Sequence, residues 1–266
     1  MLTINPPCFI YFTMPDDIRS AKLENDKNGM VILNAHNATI AEALIKAAKK
    51  TGASKPRNYF NSTKGGSLSS YTATELYELI KLIASSNSTR TPDSNIRILA
   101  DYIFNNMASF LKRLNSEDYT LVDDLANLKG LTRREKSLAS KICRYLEEWI
   151  YTTDNFAIND SVIRAMLPYY LMEYGLDYNV NLEKMSYVQF MKVFNELKAA
   201  IQAKEPTITG HMIDNIIWYT YRVDSVRTAI ANAIVEASIA AKKPLSLNCL
   251  CIKRPVSGFP TENIIF

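Results

Sequence analysis

The chain has 266 residues, of which 47% are hydrophobic, and a formal net charge of +4 at pH 7. A chain of this length and composition can bury a core, so we expect a folded protein and not a disordered one. The mild charge does not by itself indicate a nucleic-acid partner. Glycine and proline are scarce, with 8 and 10 residues, whereas alanine, leucine, isoleucine, lysine and glutamate dominate the long stretches. This composition predicts an all-α protein.

Membrane, secretion and metal signals are missing from the sequence. It contains no uncharged apolar run long enough to span a bilayer, and its N-terminus lacks the residue order of a signal peptide. We therefore expect a cytoplasmic protein with no membrane partner. The cysteines (Cys8, Cys143, Cys249 and Cys251) and the two histidines lack metal-ligand spacing, so reduced structural thiols are expected, with no metal and no cofactor.

The N-terminal part of the chain gives the weakest signals. Residues 1 to about 36 mix short apolar runs with prolines and a polar stretch, which predicts irregular structure or a short strand or two. Asn37 is the expected N-cap of a helix that runs to Thr51, with Gly52 ending it. A polar loop is expected over 53–70, either as a plain linker or as a segment that reaches a ligand.

Helical patterns dominate the rest of the chain. A helix is predicted around 74–81, followed by a break in the polar run 85–93. Apolar residues recur every three or four positions from about 94 to 114, which predicts one long helix with a buried stripe. Further helices are predicted at about 118–128, 133–151, 161–174, 186–203, 209–222 and 224–241.

A tight turn is predicted between two of these helices. A short helix ends in Leu125-Ala-Asn-Leu-Lys-Gly130, and a longer one begins in the basic run Arg133-Arg-Glu-Lys136. Free backbone N–H groups at the start of the second helix, with nearby cations, can hold a DNA phosphate without reading sequence. Alternatively, these cations, with Lys141 and Arg144, are the solvated face of an amphipathic helix.

The cations of the longer helix point in different directions from its axis. At 100° per residue, Arg134, Ser137, Lys141 and Arg144 share one flank of the apolar stripe, whereas Lys136 points largely away from it. We therefore expect Lys141 and Ser137 to edge a cleft.

The next segment, Phe156-Ala-Ile-Asn-Asp160-Ser-Val-Ile-Arg-Ala-Met-Leu167, combines a turn with an amphipathic helix. One interpretation of Asp160 is an ordinary helix N-cap. A capping carboxylate stays ionised and can also face a cleft, so a structural and a chemical role are compatible.

The order of hairpin, long helix, short loop, aspartate and helix resembles the helix-hairpin-helix DNA glycosylases. The turn before Asp160 is similar to that family's Phe-Pro-Val/Ile-x-Asp segment. The hairpin is similar to its Leu-Pro-Gly-Val/Ile-Gly motif, with Lys129 in the proline position and Thr132 in the second glycine position. The resemblance extends from the hairpin through the helix after Asp160, and to Trp218 if the later helices belong to the same lobe.

This resemblance implies a two-lobed helical bundle of the glycosylase type that binds duplex DNA, flips out a modified or damaged base and hydrolyses its N-glycosidic bond. It assigns Asp160 as the catalytic carboxylate. Some members add a nucleophilic lysine. Aligning the hairpins places Arg134 at that position, and aligning the following helix places Ser137 there. Lys141 is preferred to Lys136 for its facing, with a structural or phosphate-binding Lys141 as the alternative.

The resemblance also implies a division of the chain and a set of DNA contacts. We expect one two-lobed domain over 1–266, with a region 1–115 of uncertain affiliation, a helix-hairpin-helix-like core 116–222, and a C-terminal helix and tail 223–266. The expected DNA-binding residues are Lys129, Gly130, Thr132, Arg133, Arg134 and Lys136.

The alternative function is a catalytically inactive nucleic-acid-binding or protein-interaction protein, for example a phage-defence component.

Overall fold

The computed structural model describes residues 23–26, 30–48, 55–87, 89–176, 181–182 and 184–221. Across these ranges the secondary structure is helical, apart from an isolated antiparallel bridge between Asn25 and Val31. The all-α class is therefore confirmed for this part of the chain. None of its helices is long and apolar enough to cross a membrane. The predicted helix at 224–241 and the helix end at Thr51 and Gly52 lie outside the described residues.

The ten described helices have the following bounds. They are α1 (Ala35–Ala48), α2 (Lys55–Ser62), α3 (Ala73–Ser86), α4 (Asp93–Asn105), α5 (Met107–Asn115), α6 (Thr120–Ala126), α7 (Lys136–Tyr151), α8 (Ser161–Glu173), α9 (Tyr187–Gln202) and α10 (Gly210–Tyr221). Two 3₁₀ turns, Lys64–Gly66 and Leu68–Ser70, connect α2 to α3.

The chain divides into two compact units. The first, called here the split unit, comprises Met1–Ala48, Ser161–Met185 and Val193–Phe266. The second, called the hairpin unit, comprises Lys49–Asp160 and Ser186–Lys192. Every residue expected to act on DNA, from Lys129 to Asp160, belongs to the hairpin unit.

In the split unit, α10 packs against α1 and α8. Two buried tyrosines fix the extended segment before α1. The Tyr170 hydroxyl donates to the Val31 carbonyl at 2.8 Å, and the Val31 N–H donates to the Tyr221 hydroxyl at 3.0 Å. Side chains thus satisfy backbone groups that would otherwise need a strand partner.

In the hairpin unit, α3 packs against α2, α4 and α7, and α7 also contacts α5 and α6. The predicted stripe of α7 is part of the core, since Leu138, Ile142 and Leu146 are fully buried. Cys143, on another face of α7, is a free thiol and is also fully buried. The helix is therefore covered on several sides and is not a surface helix with one apolar stripe.

The predicted N-cap of α1 is wrong, because Asn37 lies inside the helix. Asn34 holds the capping position, and its Oδ1 accepts the Asn37 N–H at 2.7 Å. The Asn37 side chain is buried and donates to the carbonyls of Glu24 and Ile32 at 2.9 and 2.8 Å. The preceding segment supplies these acceptors, and the local sequence around Asn37 does not encode them.

The polar loop expected over 53–70 is also wrong for its described part, which contains α2 and the two 3₁₀ turns. Pro56 is tolerated in the first turn of α2, where its missing N–H removes no helical hydrogen bond. Phe60 is buried and packs on Trp149 of α7, with ring centroids 5.4 Å apart. Tertiary packing therefore orders a segment whose composition favours a linker.

The long helix predicted from 94 to 114 is two helices, α4 and α5, separated at Asn106. The Asn106 N–H bonds to the carbonyls of Tyr102 and Ile103, and its side-chain amide donates to Tyr102 at 2.8 Å. Asparagine side chains compete in this way with regular helical bonds. The buried stripe is correct on both sides of the break, since Ile103 and Phe110 are both in the core.

Candidate functional site

Lys141 and Asp160 form a buried ion pair. The distance from Lys141 Nζ to Asp160 Oδ2 is 3.0 Å, and the two side chains are 3% and 8% exposed. The same ammonium donates to Ser137 Oγ at 3.2 Å. Lys141 lies on α7, and Asp160 ends the loop that follows this helix. The structure thus brings together the two candidate catalytic residues and the serine expected beside them.

The loop from 152 to 160 is fixed to α7 by the fully buried Glu147. Its Oε1 accepts the Thr153 hydroxyl at 2.8 Å and the Asn155 N–H at 3.0 Å, and its Oε2 accepts the Phe156 N–H at 3.0 Å. Hydrogen bonds to several donors make a buried carboxylate tolerable. Glu147 therefore sets the path of the chain toward Asp160.

Ser140 makes a second attachment closer to Asp160. Its hydroxyl is buried, accepts the Asn159 N–H at 3.0 Å and donates to the Ser137 carbonyl at 3.1 Å. The residue immediately before Asp160 is thereby tied to the helix that carries Lys141. Neither Ser140 nor Glu147 was predicted as a site residue, although Ser140, Cys143 and Glu147 follow helical spacing on a face away from the predicted stripe.

Tyr187, at the start of α9, holds the other side of the loop. Its hydroxyl donates to the Ala157 carbonyl at 2.6 Å and accepts the Ala157 N–H at 3.0 Å. Its ring lies nearly parallel to that of Phe156, with an interplanar angle of 15°. Burial raises the pKa of Tyr187 well above its ordinary value, which keeps the hydroxyl protonated as a donor. Attachments on two sides leave Asp160 little freedom.

Arg144 lies one turn after Lys141 on α7 and is also buried, with 3% of its side chain exposed. Its guanidinium lies 3.3 Å from Asp154 Oδ1 and 3.5 Å from Glu148 Oε2. Because Lys141 and Arg144 are both buried, the interpretation of a solvated helix face is wrong for these two cations. Lys136, expected to point away from the apolar stripe, is also buried, because α7 is covered on several sides.

A tight turn joins α6 to α7. Residues 127–135 connect the helices, with the Leu131 N–H bonded to the Leu128 carbonyl and the Glu135 N–H bonded to the Ala126 carbonyl. Gly130 has a φ of +96°, a conformation that strongly favours glycine. Lys129 and Gly130 are both exposed on this turn. The chain reversal expected from the sequence is therefore present, with α7 beginning at Lys136 instead of Arg133.

Much of the hairpin's hydrogen-bonding capacity is used internally. The N–H of Thr132 donates to Asn95 Oδ1 at 3.0 Å, and the Asn95 amide donates to Glu135 at 2.8 Å. Arg133 pairs with Glu135 at 2.8 Å and Arg134 pairs with Asp123 at 3.0 Å. Both arginines nevertheless keep 51% and 41% of their side-chain surface exposed. They can therefore still present N–H groups to an anion.

A small open cavity lies on this turn. Its volume is about 220 Å³, and we name it the hairpin cavity. The residues that line it are Ala126, Asn127, Leu128, Leu131, Arg133 and Arg134. Its two arginines give it a chemistry suited to an anionic group.

The described residues contain no group of three or more histidine, cysteine, aspartate or glutamate side chains that could hold a metal ion. The site at Lys141 and Asp160 brings together one amine, one carboxylate and the Ser137 hydroxyl. Comparisons of the chain with family models, curated proteins and solved structures found no match.

Proposed function

We propose that the protein is a DNA glycosylase-like enzyme that binds duplex DNA, flips out a modified or damaged base and hydrolyses its N-glycosidic bond with Asp160. The observation that carries this proposal is the buried ion pair of Lys141 and Asp160, 3.0 Å apart. An ionised carboxylate and an amine held together on rigid elements are typical of a reactive site. The turn between α6 and α7 is the proposed phosphate contact.

Asp160 supplies the carboxylate for hydrolysis. As the bond between C1′ and the base nitrogen lengthens, positive charge develops on the sugar, and a nearby carboxylate stabilises it. The same group accepts a proton from water as the water oxygen bonds to C1′. The base leaves with the bonding electron pair and takes up a proton. The Lys141 ammonium, 3.0 Å from this carboxylate, offsets its charge in the buried position.

Lys141 has a second possible role as the nucleophile. Transfer of one proton from its ammonium to Asp160 leaves a neutral amine, which can attack C1′ as the base departs. The new bond joins Nζ to C1′, and loss of a further proton with opening of the sugar ring gives a Schiff base. Trapping with borohydride tests this role directly, because reduction converts the Schiff base into a stable covalent adduct of protein and DNA.

The first experiment measures base release from duplexes that carry a panel of damaged and modified bases. Asp160→Asn should lower the rate by about 100-fold or more on any base that the wild type releases. Asp101→Asn, on the exposed surface of α4, is the matched control. The proposal fails if no base is released, or if Asp160→Asn releases base as fast as the wild type.

The second experiment separates the two roles of Lys141. With borohydride, a covalent adduct that Lys141→Met abolishes assigns Lys141 as the nucleophile. Base release without an adduct assigns the hydrolytic role to Asp160 alone. An adduct that persists in Lys141→Met would place the nucleophile elsewhere.

A second candidate function is a non-catalytic nucleic-acid-binding protein. The burial of Lys141 and Asp160 favours it, because these two groups neutralise each other at 3.0 Å without a substrate. It predicts salt-dependent DNA binding without base release, abolished by Arg133→Glu combined with Arg134→Glu. A protein-interaction module would show no salt-dependent DNA binding.

A further inference from the structure

A larger open cavity of about 510 Å³ lies elsewhere in the hairpin unit, between the end of α3 and the start of α4. We name it the Arg90 cavity. Its polar lining consists of Lys81, Ser85, Thr89, Arg90, Thr91 and Asp93. None of these residues carries a role in the proposed chemistry. Their arrangement nevertheless gives the cavity a definite ligand preference.

Arg90 is the main free cation of this cavity. It is exposed, and its guanidinium makes no hydrogen bond or ion pair with another described residue. Its backbone is held in the left-handed region, with a φ of +52°. The loop is also anchored nearby, since the Thr89 N–H bonds to the Ala84 carbonyl at 3.2 Å. A fixed loop thus presents an unpaired guanidinium at the cavity.

The single carboxylate in the lining is already neutralised. Asp93 lies 3.7 Å from the Lys81 ammonium and 3.3 Å from Arg97, and it accepts the Tyr77 hydroxyl. The hydrogen bond from Tyr77, followed by the charges of Lys81 and Arg97, holds the pKa of Asp93 below its ordinary value. The charged residues of the lining are two cations, Lys81 and Arg90, and one carboxylate, Asp93, so the lining is cationic by one charge.

The hydroxyls of the lining already have partners within the protein. Ser85 donates to the Leu82 carbonyl at 3.1 Å and Thr89 to the Ala84 carbonyl at 3.3 Å. The Thr91 hydroxyl lies 3.0 Å from the Thr89 hydroxyl and 3.1 Å from Glu135 Oε2, one of which accepts its proton. The donors left for a ligand are therefore those of Arg90 and the remaining N–H groups of Lys81. A guanidinium and an ammonium, with no free hydroxyl, suit the oxygens of a phosphate group.

Arg133 connects this cavity to the hairpin cavity. It lines the hairpin cavity, and its guanidinium donates to the carbonyls of Thr89 and Arg90 at 3.3 and 2.8 Å. Arg133 thus contacts the loop of the Arg90 cavity while it lines the hairpin cavity.

We propose that the Arg90 cavity is a second phosphate-binding site, which holds the sugar–phosphate backbone of the same nucleic acid that the hairpin contacts. This inference rests on the proposed function because it takes DNA as the ligand. It does not require that the protein excise a base. Arg90 and Lys81 are the residues that contact the phosphate, and Arg133 couples this contact to the hairpin.

The test measures binding of an unmodified duplex by fluorescence anisotropy at several salt concentrations, with base release assayed separately. Arg90→Glu should weaken binding by about 10-fold near 0.15 M salt and lower the slope of log affinity against log salt by about one. Arg90→Lys should retain most of the affinity, because it keeps the charge. Lys112→Glu, an exposed cation on α5 that lines neither cavity, is the matched control.

Each result decides between the inference and its alternatives. If the wild type binds DNA and Arg90→Glu binds equally well, the Arg90 cavity is not a phosphate site for DNA. Saturable binding of a mononucleotide that Arg90→Glu abolishes, with unchanged DNA affinity, would overturn the inference in favour of a small-molecule site. A wild type that does not bind DNA overturns it as well. DNA binding that depends on Arg90 without any base release supports the cavity and defeats only the glycosylase proposal.

Discussion

The ammonium of Lys141 and the carboxylate of Asp160 lie 3.0 Å apart, and both side chains are almost fully removed from water. They come from a helix and from the end of the loop that follows it, 19 residues apart in the chain. Each charge in such a pair offsets part of the cost of burying the other. The pair therefore affects stability as well as any chemistry.

Replacing one member of the Lys141–Asp160 pair should destabilise the folded protein. Lys141→Met leaves a buried carboxylate without its cation and should lower the free energy of unfolding by about 3–5 kcal/mol. The double variant Lys141→Met with Asp160→Leu should lose less than the sum of the single variants, because it leaves no unpaired charge. Urea unfolding of the three variants gives the comparison.

The matched control is Arg57, whose pair with Glu148 spans 3.3 Å and leaves 57% of the arginine side chain exposed. Arg57→Met should cost less than about 1 kcal/mol. Strictly additive effects of Lys141→Met and Asp160→Leu would contradict a coupled buried pair.

The attachment of the loop by Glu147 should be measurable by amide hydrogen exchange. In Glu147→Gln, the side-chain amide replaces one acceptor oxygen, so the N–H groups of Asn155 or Phe156 lose a partner. Their exchange should accelerate more than that of core amides in α7, and the free energy of unfolding should fall by about 1–3 kcal/mol. Glu117→Gln, at an exposed site, is the control. Unchanged protection at 155 and 156 would show that Glu147 does not hold this loop.

The backbone conformation at position 130 should require glycine. A Cβ built at this position would lie 3.4 Å from Ile98 Cδ1, which is an ordinary contact, so crowding adds little. The φ of +96° disfavours any other residue, and Gly130→Ala should cost about 1–2 kcal/mol. Thermal unfolding measures this cost. A variant as stable as the wild type would mean that the turn relaxes without glycine.

The decrease of the free energy of unfolding at acidic pH should depend in part on Asp118. Burial raises the pKa of Asp118, but the hydrogen bonds from Thr120 and Arg113 outweigh it and place the pKa below its ordinary value of 3.8. A lowered folded-state pKa adds stability at neutral pH, and this contribution is lost as the pH falls through that region. Asp118→Asn should therefore be less stable than the wild type at pH 7, with the difference shrinking below about pH 4. A difference that stays constant with pH would contradict this assignment.

Helical periodicity was enough to predict most of α3 and α7 to α10, because their core positions recur along the sequence itself. The same periodicity put Lys141 and Ser137 on one flank of α7, whereas Asp160 was singled out by the resemblance of its segment to the glycosylases. It failed where long-range partners decide the structure. Asn37 bonds to carbonyls of a segment before its helix, and Thr132 bonds to Asn95 from α4. Such partners leave no local pattern.

The hairpin unit also buries polar side chains that the sequence did not mark as buried. A glutamate next to another glutamate gives no sign that it is fully buried, yet Glu147 accepts three hydrogen bonds at 3.0 Å or less. The arginines of the hairpin were correctly expected near the turn. That each would pair with a carboxylate of its own unit depends on Asp123 and Glu135 being brought beside them.

The buried position of Cys143 gives the hairpin unit its own reporter. Burial raises the pKa of this thiol, so that both access and ionisation are suppressed in the native fold. An alkylating reagent can react with it only after α7 separates from the helices around it. The alkylation rate of Cys143 therefore measures how often α7 separates from its neighbours. Comparing this rate with and without DNA, or between variants, shows whether DNA or a substitution makes the separation rarer.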